Sequence, residues 1–250
     1  DHLLHGSNHS EEPVLLAAPY VHLMDELVLD RFGERTALDF FFLGGGAYTQ
    51  PRAVQKRYPG STITVAELDP AVTETARQRL YVNTDGMTIY HADARVVLAR
   101  EPARYDVIVA DAFHDIAIPI HLVTLEHAQL VRERLAPGGL YTLNVVDAFP
   151  DAKLVKAMIK TLRKVFDDVH VWLDEVPEDA ARVTYVISAG NGHRPPEIID
   201  AHRGLPRRWL RVTEPVTGAG TAMRELPLLT DDHAPVESLM ADLFLTNLGR

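Results

Sequence analysis

Glycines and acids stand at the ends of successive predicted strands in this sequence, and their chemistry suits a nucleoside. Gly44, Gly45 and Gly46 follow the apolar run FFFL. Backbone without side chains lets a ligand approach closely, and the helix that follows offers free amide groups. Glu67 ends the next run, about 20 residues after the glycines, where a carboxylate can accept both hydroxyls of a ribose.

The next two runs also end in acids. Asp93 is followed by Ala94 at the end of the third run, where an adenine could be recognised, and Asp111 ends the fourth. An alternative is that such acids are helix N-caps or solvated loop residues. We favour that alternative for Asp69, because Pro70 follows it and proline suits the first position of a helix.

The elements that must position these residues alternate between strand and helix from Ala37 onward. Five predicted strands separated by helices indicate a parallel sheet with helices on both faces. The last two strands, VHVWLDEV and RVTYVISAG, are joined only by PEDAA, which is too short for a parallel crossover. We therefore predict an α/β, Rossmann-like doubly wound sheet with an antiparallel final pair, typical of S-adenosylmethionine-dependent methyltransferases.

The predicted organisation has three parts. Residues 1–32 form an N-terminal β-region and helix, 33–190 a nucleoside-binding catalytic domain, and 191–250 an extension packed on that domain. The chain begins with Asp1 rather than methionine, which leaves room for upstream residues, including a membrane tether.

Composition excludes several classes of function. The net charge is −10 and dense Lys/Arg clusters are absent, which argues against nucleic acid and favours a small cationic partner. The nearest basic run, RGLPRRWLR, is interpreted as a solvated or acid-pairing surface. The absence of cysteine removes disulfides, thiolate catalysis and Cys-based zinc sites, and a cytoplasmic location is the simplest expectation. A membrane span is not predicted, because no uninterrupted apolar run reaches about 18 residues.

Five segments together resemble the spermidine synthase family of polyamine aminopropyltransferases, in its divergent spermidine-synthase-like branch. They are FLGGGAYTQPR, VAELDPAV, HADARVVL, YDVIVADAF and LAPGGLYTLNV, within residues 42–146. LTDDHAPVESL, at 229–239, is similar to the C-terminal signature of that branch, and DHLLHGSN to the start of its N-terminal β-region. The resemblance implies a methyltransferase-like fold that binds decarboxylated S-adenosylmethionine. It also implies transfer of the aminopropyl group to an amine and release of methylthioadenosine.

The resemblance implies a role for each strand-end residue. Gly44 to Gly46 would line the sulfonium side chain, Glu67 would bind the ribose, and Asp93 with Ala94 would hold the adenine. Asp111 matches the first acid of the catalytic loop, which positions the attacking amine and helps to deprotonate it. A homodimer and a small cationic amine substrate are also expected, without a metal.

Two loops depart from the family pattern. The family's GGGDG loop, whose acid contacts the propyl ammonium of the donor, here contains Ala47 and Tyr48. The family's DSSDP gate is here DAFHD, so His114 replaces the second acid and Asp115 lies one position late. His114 and Asp115 remain catalytic candidates, since an imidazole suits general-base chemistry near neutral pH. The alternative for His114 is a solvated loop histidine.

The amine site is the least defined part of the pattern. The family's Tyr-His-Glu run is not evident; Tyr20 or His22 could substitute for it, or could simply pack in the core. Asp231 and Asp232, which precede His233, could replace the missing negative charge, although their spacing does not favour a metal site.

The sequence therefore leaves four functions open. The first is aminopropyl transfer from decarboxylated S-adenosylmethionine to an amine. The second is methyl transfer from intact S-adenosylmethionine, which the absence of an acid at Ala47 favours slightly because that acid would repel the carboxylate of the donor. The others are self-cleavage or cyclisation of the donor, and a nucleoside-binding module without catalysis.

Overall fold

A computed structural model describes residues 6–112 and 118–246 and contains one nine-stranded mixed sheet in the order β3-β2-β1-β4-β5-β7-β6-β9-β8. The strands are β1 Asp39–Leu43, β2 Thr62–Ala66, β3 Met87–Tyr90, β4 Tyr105–Ala110, β5 Leu135–Phe149, β6 Asp168–Leu173, β7 Ala181–Gly190, β8 Ile198–Asp200 and β9 Arg208–Arg211. The helices are α1 Pro19–Phe32, α2 Thr49–Arg57, α3 Pro70–Arg79, α4 Ala94–Arg100, α5 Leu125–Arg134, α6 Lys153–Leu162, α7 Thr213–Gly218, α8 Val236–Leu239 and α9 Ala241–Thr246. Short 3₁₀ turns span Ile120–Leu122 and Met223–Glu225.

The sheet confirms the predicted fold class. Strands β1 to β5 pair in parallel, while β7 pairs antiparallel with both β5 and β6. The chain winds from β1 outward to β3 and then crosses back to β4 on the other side of β1. The carboxyl ends of β1, β2 and β4 are therefore neighbours, as ligand binding at a topological switch point requires.

The two sheet faces bury different sets of side chains, because successive residues of a strand point to opposite sides. Helix α1 packs against one face, where Phe40, Phe42 and Val109 belong to one buried cluster. Trp172 and Trp209 are 0% and 1% exposed in that same cluster, which places both in the core. Helices α4, α5 and α6 contribute to the cluster on the opposite face.

Some element boundaries differ from the sequence prediction. The segment TLEHAQLVRERLAPGG has the pattern of a helix that Pro137 to Gly139 would close, but α5 already ends at Arg134. Residues 137–139 instead bulge at the start of β5, since β4 pairs first with Leu135 and then with Leu140. A Cβ on Gly139 would lie 3.1 Å from the Asp106 carbonyl oxygen, so the bulge requires a residue without a side chain.

The C-terminal region also differs, because β8 and β9 were not predicted as strands. They extend the sheet through pairing of β9 with β6. The basic run that contains β9 pairs with acids as expected: Arg208 Nε lies 2.7 Å from Asp200 Oδ1 and Arg211 Nη2 lies 3.2 Å from Glu197 Oε1. The segment APVESLMADLFLTNL has the pattern of one helical tail, but in the structure α8 and α9 divide it at Met240.

Residues 6–18, the described part of the predicted N-terminal β-region before α1, contain no strand. Side-chain donors hold this segment: Asn8 Nδ2 donates to the Ala47 carbonyl at 2.7 Å, and Arg52 Nη1 to the His9 carbonyl at 2.7 Å. Arg57 Nη2 likewise donates to the Val14 carbonyl at 2.8 Å. Carbonyls satisfied in this way need no neighbouring strand.

Candidate functional site

Backbone hydrogen bonds beyond the strand ends hold the predicted ligand loops side by side. Gly44 N donates to the Ala66 carbonyl at 2.9 Å, and Glu67 N donates to the Tyr90 carbonyl at 3.0 Å. Asp111 N donates to the Leu43 carbonyl at 3.1 Å. The parallel ladder thus continues one step past β1, β2 and β4, and it brings Gly44, Glu67 and Asp111 to one edge of the sheet.

The glycines at this edge are needed for packing as well as for access. Gly44 has a φ of 91°, and a Cβ there would lie 2.9 Å from the Asp111 carbonyl oxygen. A Cβ on Gly45 would lie 2.4 Å from the Tyr48 ring. The loop can therefore fit between the end of β4 and the side chain of Tyr48 only without side chains of its own.

Glu67 connects the glycine loop to the neighbouring loop after β2. Its Oε2 accepts from Gly45 N at 2.8 Å and from Gly46 N at 3.3 Å, while Oε1 accepts from Asp69 N at 3.0 Å. Charge-assisted bonds of this kind fix the loop before any ligand arrives. The Asp69 side chain accepts from Ala71 N at 2.8 Å, which confirms it as the N-cap of α3.

Leu68, between these two acids, is a candidate site residue that the sequence pattern did not single out. It is 70% exposed, an unusual position for a leucine beside a polar loop. An apolar surface next to Glu67 is suited to contact the flat face of a base. The signal in the sequence was the single leucine inside ELDP, at the end of an apolar strand.

Asp93 combines two contacts. Its Oδ1 accepts from Val96 N at 3.0 Å and so caps α4, whose first residue is the buried Ala94. Its Oδ2 lies 2.7 Å from His121 Nε2. Burial alone would raise the pKa of Asp93, but the hydrogen bond from Val96 and the contact with His121 outweigh it, and the pKa is lowered. Asp93 is thus a helix cap through Oδ1, whereas its Oδ2 contacts the side chain of His121.

Asp111 lies at the centre of the candidate site. Asn144 Nδ2, on the adjacent strand β5, donates to its Oδ1 at 2.9 Å, and the Tyr20 hydroxyl on α1 donates to its Oδ2 at 3.3 Å. Burial raises the pKa of the Asp111 carboxyl, against the opposing effect of these two hydrogen bonds. Burial and the neighbouring Asp111 also raise the pKa of Tyr20, which keeps its hydroxyl protonated.

A cavity of about 210 Å³ lies beside this group, between α1 and the antiparallel end of the sheet. Tyr20, which bonds Asp111, forms part of its wall. The other walls are mostly apolar and include Trp172 and Trp209, with Thr184 and Asp174 as polar exceptions. The cavity is large enough for a small aliphatic molecule, and Tyr20 connects its wall to Asp111.

Asp231, predicted to supply negative charge to the amine site, is paired elsewhere. Its two oxygens lie 2.7 and 2.6 Å from the Arg95 guanidinium, and Thr124 Oγ1 donates to it at 2.7 Å. Arg95 follows Ala94, so the structure places Asp231 on the predicted adenine side of the site. Asp232 is exposed on the same turn.

The other predicted residues are placed as follows. His22 is buried on α1, with Nε2 2.7 Å from the Arg203 carbonyl oxygen, so it packs in the core. His114 and Asp115 lie outside the described residues.

Across residues 6–112 and 118–246, no group of three or more His, Asp or Glu side chains could hold a metal ion. In the same ranges no helix is both long and apolar enough to cross a bilayer.

Comparison with known proteins identifies the family. Residues 37–194 match the model of the spermine/spermidine synthase domain. The chain belongs to this family. It is 28% identical over 221 residues to a probable polyamine aminopropyl transferase of Bifidobacterium longum, covering 79% of this chain and 48% of that protein. A polyamine aminopropyltransferase of Vibrio vulnificus is 32% identical over 142 residues, which are 55% of this chain and 45% of that protein. The chain thus spans about half the length of these curated relatives.

Solved structures show the same fold. A probable spermidine synthase from Corynebacterium glutamicum superposes with a TM-score of 0.65 at 23% identity, covering 87% of this chain and 86% of that one. Human methyltransferase-like protein 13, determined in complex with SAH, superposes with a TM-score of 0.54 at 24% identity, covering 69% and 78%. These neighbours agree with the methyltransferase-like sheet predicted from the strand order.

The tyrosine at position 48, one of the two residues by which the glycine loop departs from the family pattern, has a structural explanation. Tyr48 stands where the family pattern has a glycine, and it adopts a left-handed conformation with a φ of 55°. For a non-glycine residue this conformation costs about 1–2 kcal/mol. The side chain is fully buried under the loop, and its hydroxyl lies 2.7 Å from Thr73 Oγ1. Burial and this hydrogen bond offset the backbone cost.

Proposed function

We propose that this protein transfers the aminopropyl group of decarboxylated S-adenosylmethionine to a small cationic amine and releases methylthioadenosine. The observation that carries the proposal is the position of Asp111. This half-buried carboxylate lies between the glycine loop and the cavity beside α1, and Tyr20 and Asn144 hold its two oxygens. A carboxylate there can orient an amine at the boundary between donor and acceptor.

The donor would lie along the edge formed by β1, β2 and β3. In this proposal Gly44 to Gly46 line the sulfonium side chain and Glu67 accepts the ribose hydroxyls. Asp93 and Ala94 hold the adenine, with Leu68 against the base. Support comes from the shared edge of these loops and from the exposed Leu68 side chain.

In the reaction, the amine nitrogen attacks the propyl carbon bound to sulfur. The new C–N bond forms as the C–S bond breaks, the bonding electrons pass to sulfur, and the sulfonium becomes a neutral thioether. The nitrogen must also lose one proton, which passes to water. Asp111 accepts a hydrogen bond from that nitrogen and stabilises the positive charge, so its main contribution is orientation and electrostatics rather than strong basicity.

Methyl transfer from intact S-adenosylmethionine is the second candidate, and Ala47 is the observation that favours it. The alanine has no acid to hold the ammonium of a decarboxylated donor, and it does not repel a carboxylate. The segment around Asn8 crosses directly over this position, because Asn8 Nδ2 donates to the Ala47 carbonyl.

One assay separates these functions. The protein is incubated with each donor, with and without a panel of amines, and the nucleoside product is identified. Methylthioadenosine formed only in the presence of amine supports aminopropyl transfer, whereas S-adenosylhomocysteine supports methylation. Methylthioadenosine without amine indicates self-reaction of the donor. Binding of nucleoside without turnover would reject all three reactions and leave a binding module.

We also propose that residues 33–190 form the catalytic unit, with 1–32 and 191–250 packed on it. Contacts of both flanking parts support this arrangement. Helix α1 contributes Tyr20 to the Asp111 site, and β9 pairs with β6 at the end of the sheet.

A further inference from the structure

We infer that His121 competes with the bound nucleoside for the carboxylate of Asp93. This competition weakens nucleoside binding and promotes release of the nucleoside product. The inference rests on the proposed function, because it takes Asp93 as the acceptor of the adenine amino group. It adds a residue that acts on donor and product through Asp93. His121 is therefore a positioning residue rather than a catalytic one.

The competition follows from how the two oxygens of Asp93 are used. Oδ1 accepts from Val96 N and caps α4, so it is committed to the fold. Oδ2 is the oxygen that remains for a ligand, and His121 Nε2 lies 2.7 Å from it. An imidazole N–H and an adenine amino group would approach this oxygen as alternative donors. A base can take up the full contact only after the ring of His121 moves.

His121 can move without disturbing its surroundings. Its side chain is 45% exposed, and the Asp93 carboxylate is 36% exposed, so the ring can rotate into solvent. The backbone at this point is anchored separately, since Arg95 Nη1 donates to the His121 carbonyl at 3.0 Å. Arg95 itself is fixed by Asp231. Release of the ring therefore does not require release of the chain.

The surrounding charges favour a reversible contact. Groups of both charges lie beside the ring: Asp93 contacts it directly, and Arg95, which donates to the His121 carbonyl, is paired with Asp231. Nearby on α5, burial lowers the pKa of His127 to about 3, so this second histidine stays neutral around physiological pH. A half-exposed contact in such a mixed field can hold the empty site and still give way to a bound base.

Affinity for methylthioadenosine, measured by calorimetry on the full chain, tests the inference. Removal of the competitor in His121→Ala should tighten binding about 3- to 10-fold, the value of one hydrogen bond of moderate strength. The matched control is His233→Ala, which removes an exposed histidine from the neighbouring turn and should leave affinity unchanged. In an Asp93→Asn background the effect of His121→Ala should shrink, because the two residues are coupled.

A spectroscopic measurement adds a readout that a structural role would not change. The His121 ring resonance, assigned by its absence in His121→Ala, should move toward that of a solvated histidine when methylthioadenosine binds. Weaker binding by His121→Ala would make His121 a ligand contact and overturn the inference. Unchanged affinity would overturn it too, while the proposed function stands. If neither protein binds the nucleoside, the donor site itself is wrong, and both proposals fail.

Discussion

Asn144 and Asp111 occupy adjacent strands of the sheet, and Asn144 Nδ2 donates to Asp111 Oδ1 at 2.9 Å. Together with the Tyr20 hydroxyl, this bond fixes the carboxylate at the boundary between the glycine loop and the cavity. Asn144 is itself buried, and its Oδ1 has no hydrogen-bond partner among the described residues. Asn144 therefore holds the Asp111 carboxylate through its amide nitrogen, while its own amide oxygen stays buried beside that carboxylate.

Replacing the central carboxylate should separate catalysis from binding. Asp111→Asn should lower turnover by about 100-fold or more, because the amide cannot stabilise the cationic amine as a carboxylate does. Methylthioadenosine affinity should stay within about threefold of wild type. Asp106→Asn, at the opposite end of β4, is the control. An Asp111→Asn enzyme with near wild-type turnover would remove Asp111 from the mechanism.

Asn144 should control the pH profile. Burial raises the pKa of Asp111, so activity should fall as acidification protonates this carboxyl. The bond from Asn144 opposes that rise, and Asn144→Leu should therefore move the acidic limb of kcat/KM to higher pH. Thr142→Val, a change of similar size on the same buried face of β5, is the control. An identical limb in Asn144→Leu would show that another group controls the profile.

Glu67 should organise the donor side. Glu67→Gln removes the charge that accepts from Gly45, Gly46 and Asp69, so methylthioadenosine binding should weaken about 10- to 100-fold. Calorimetric titration measures the change. Glu74→Gln, on the exposed surface of α3, should have no effect. The role assigned to Glu67 fails if both variants bind the nucleoside equally well.

An acid at position 47 should change donor preference. Ala47→Asp should shift the ratio of affinities about tenfold toward decarboxylated S-adenosylmethionine and away from the intact donor. Ala47→Asn controls for size, because the position is crowded by the segment at Asn8. Competition binding with the two donors gives the ratio. Equal ratios for the two variants would mean that residue 47 does not face the end of the donor.

Asp231 should link acid stability to the Arg95 contact. Hydrogen bonds from Arg95 lower the pKa of Asp231 to about 2, although its side chain is 42% exposed. A lowered pKa stabilises the folded state above the ordinary value of 3.8, and this contribution is lost as the pH falls toward about 2. Asp231→Asn should have a lower Tm than wild type at pH 7. At pH 2 the two Tm values should lie closer together, because wild type has lost this contribution. Asp232→Asn should match wild type throughout.

The glycine loop illustrates what local sequence can predict. A buried apolar run followed by glycines indicates a strand that ends at a ligand loop, since periodicity and turn chemistry depend on neighbouring residues. The same reasoning gave Asp69 as a helix cap and the antiparallel final pair. It could not give β8 and β9, because these short segments become strands only by pairing with the edge of an existing sheet.

The sequence by itself determined the alternation of strands and helices as far as β7, the fold class, and the succession of Gly44, Glu67, Asp93 and Asp111 along the chain. Only the tertiary structure decided what these residues touch. Asp111 meets Tyr20 across 91 positions, and Arg95 meets Asp231 across 136. Such contacts depend on how distant elements pack, and local residue patterns carry no information about that packing.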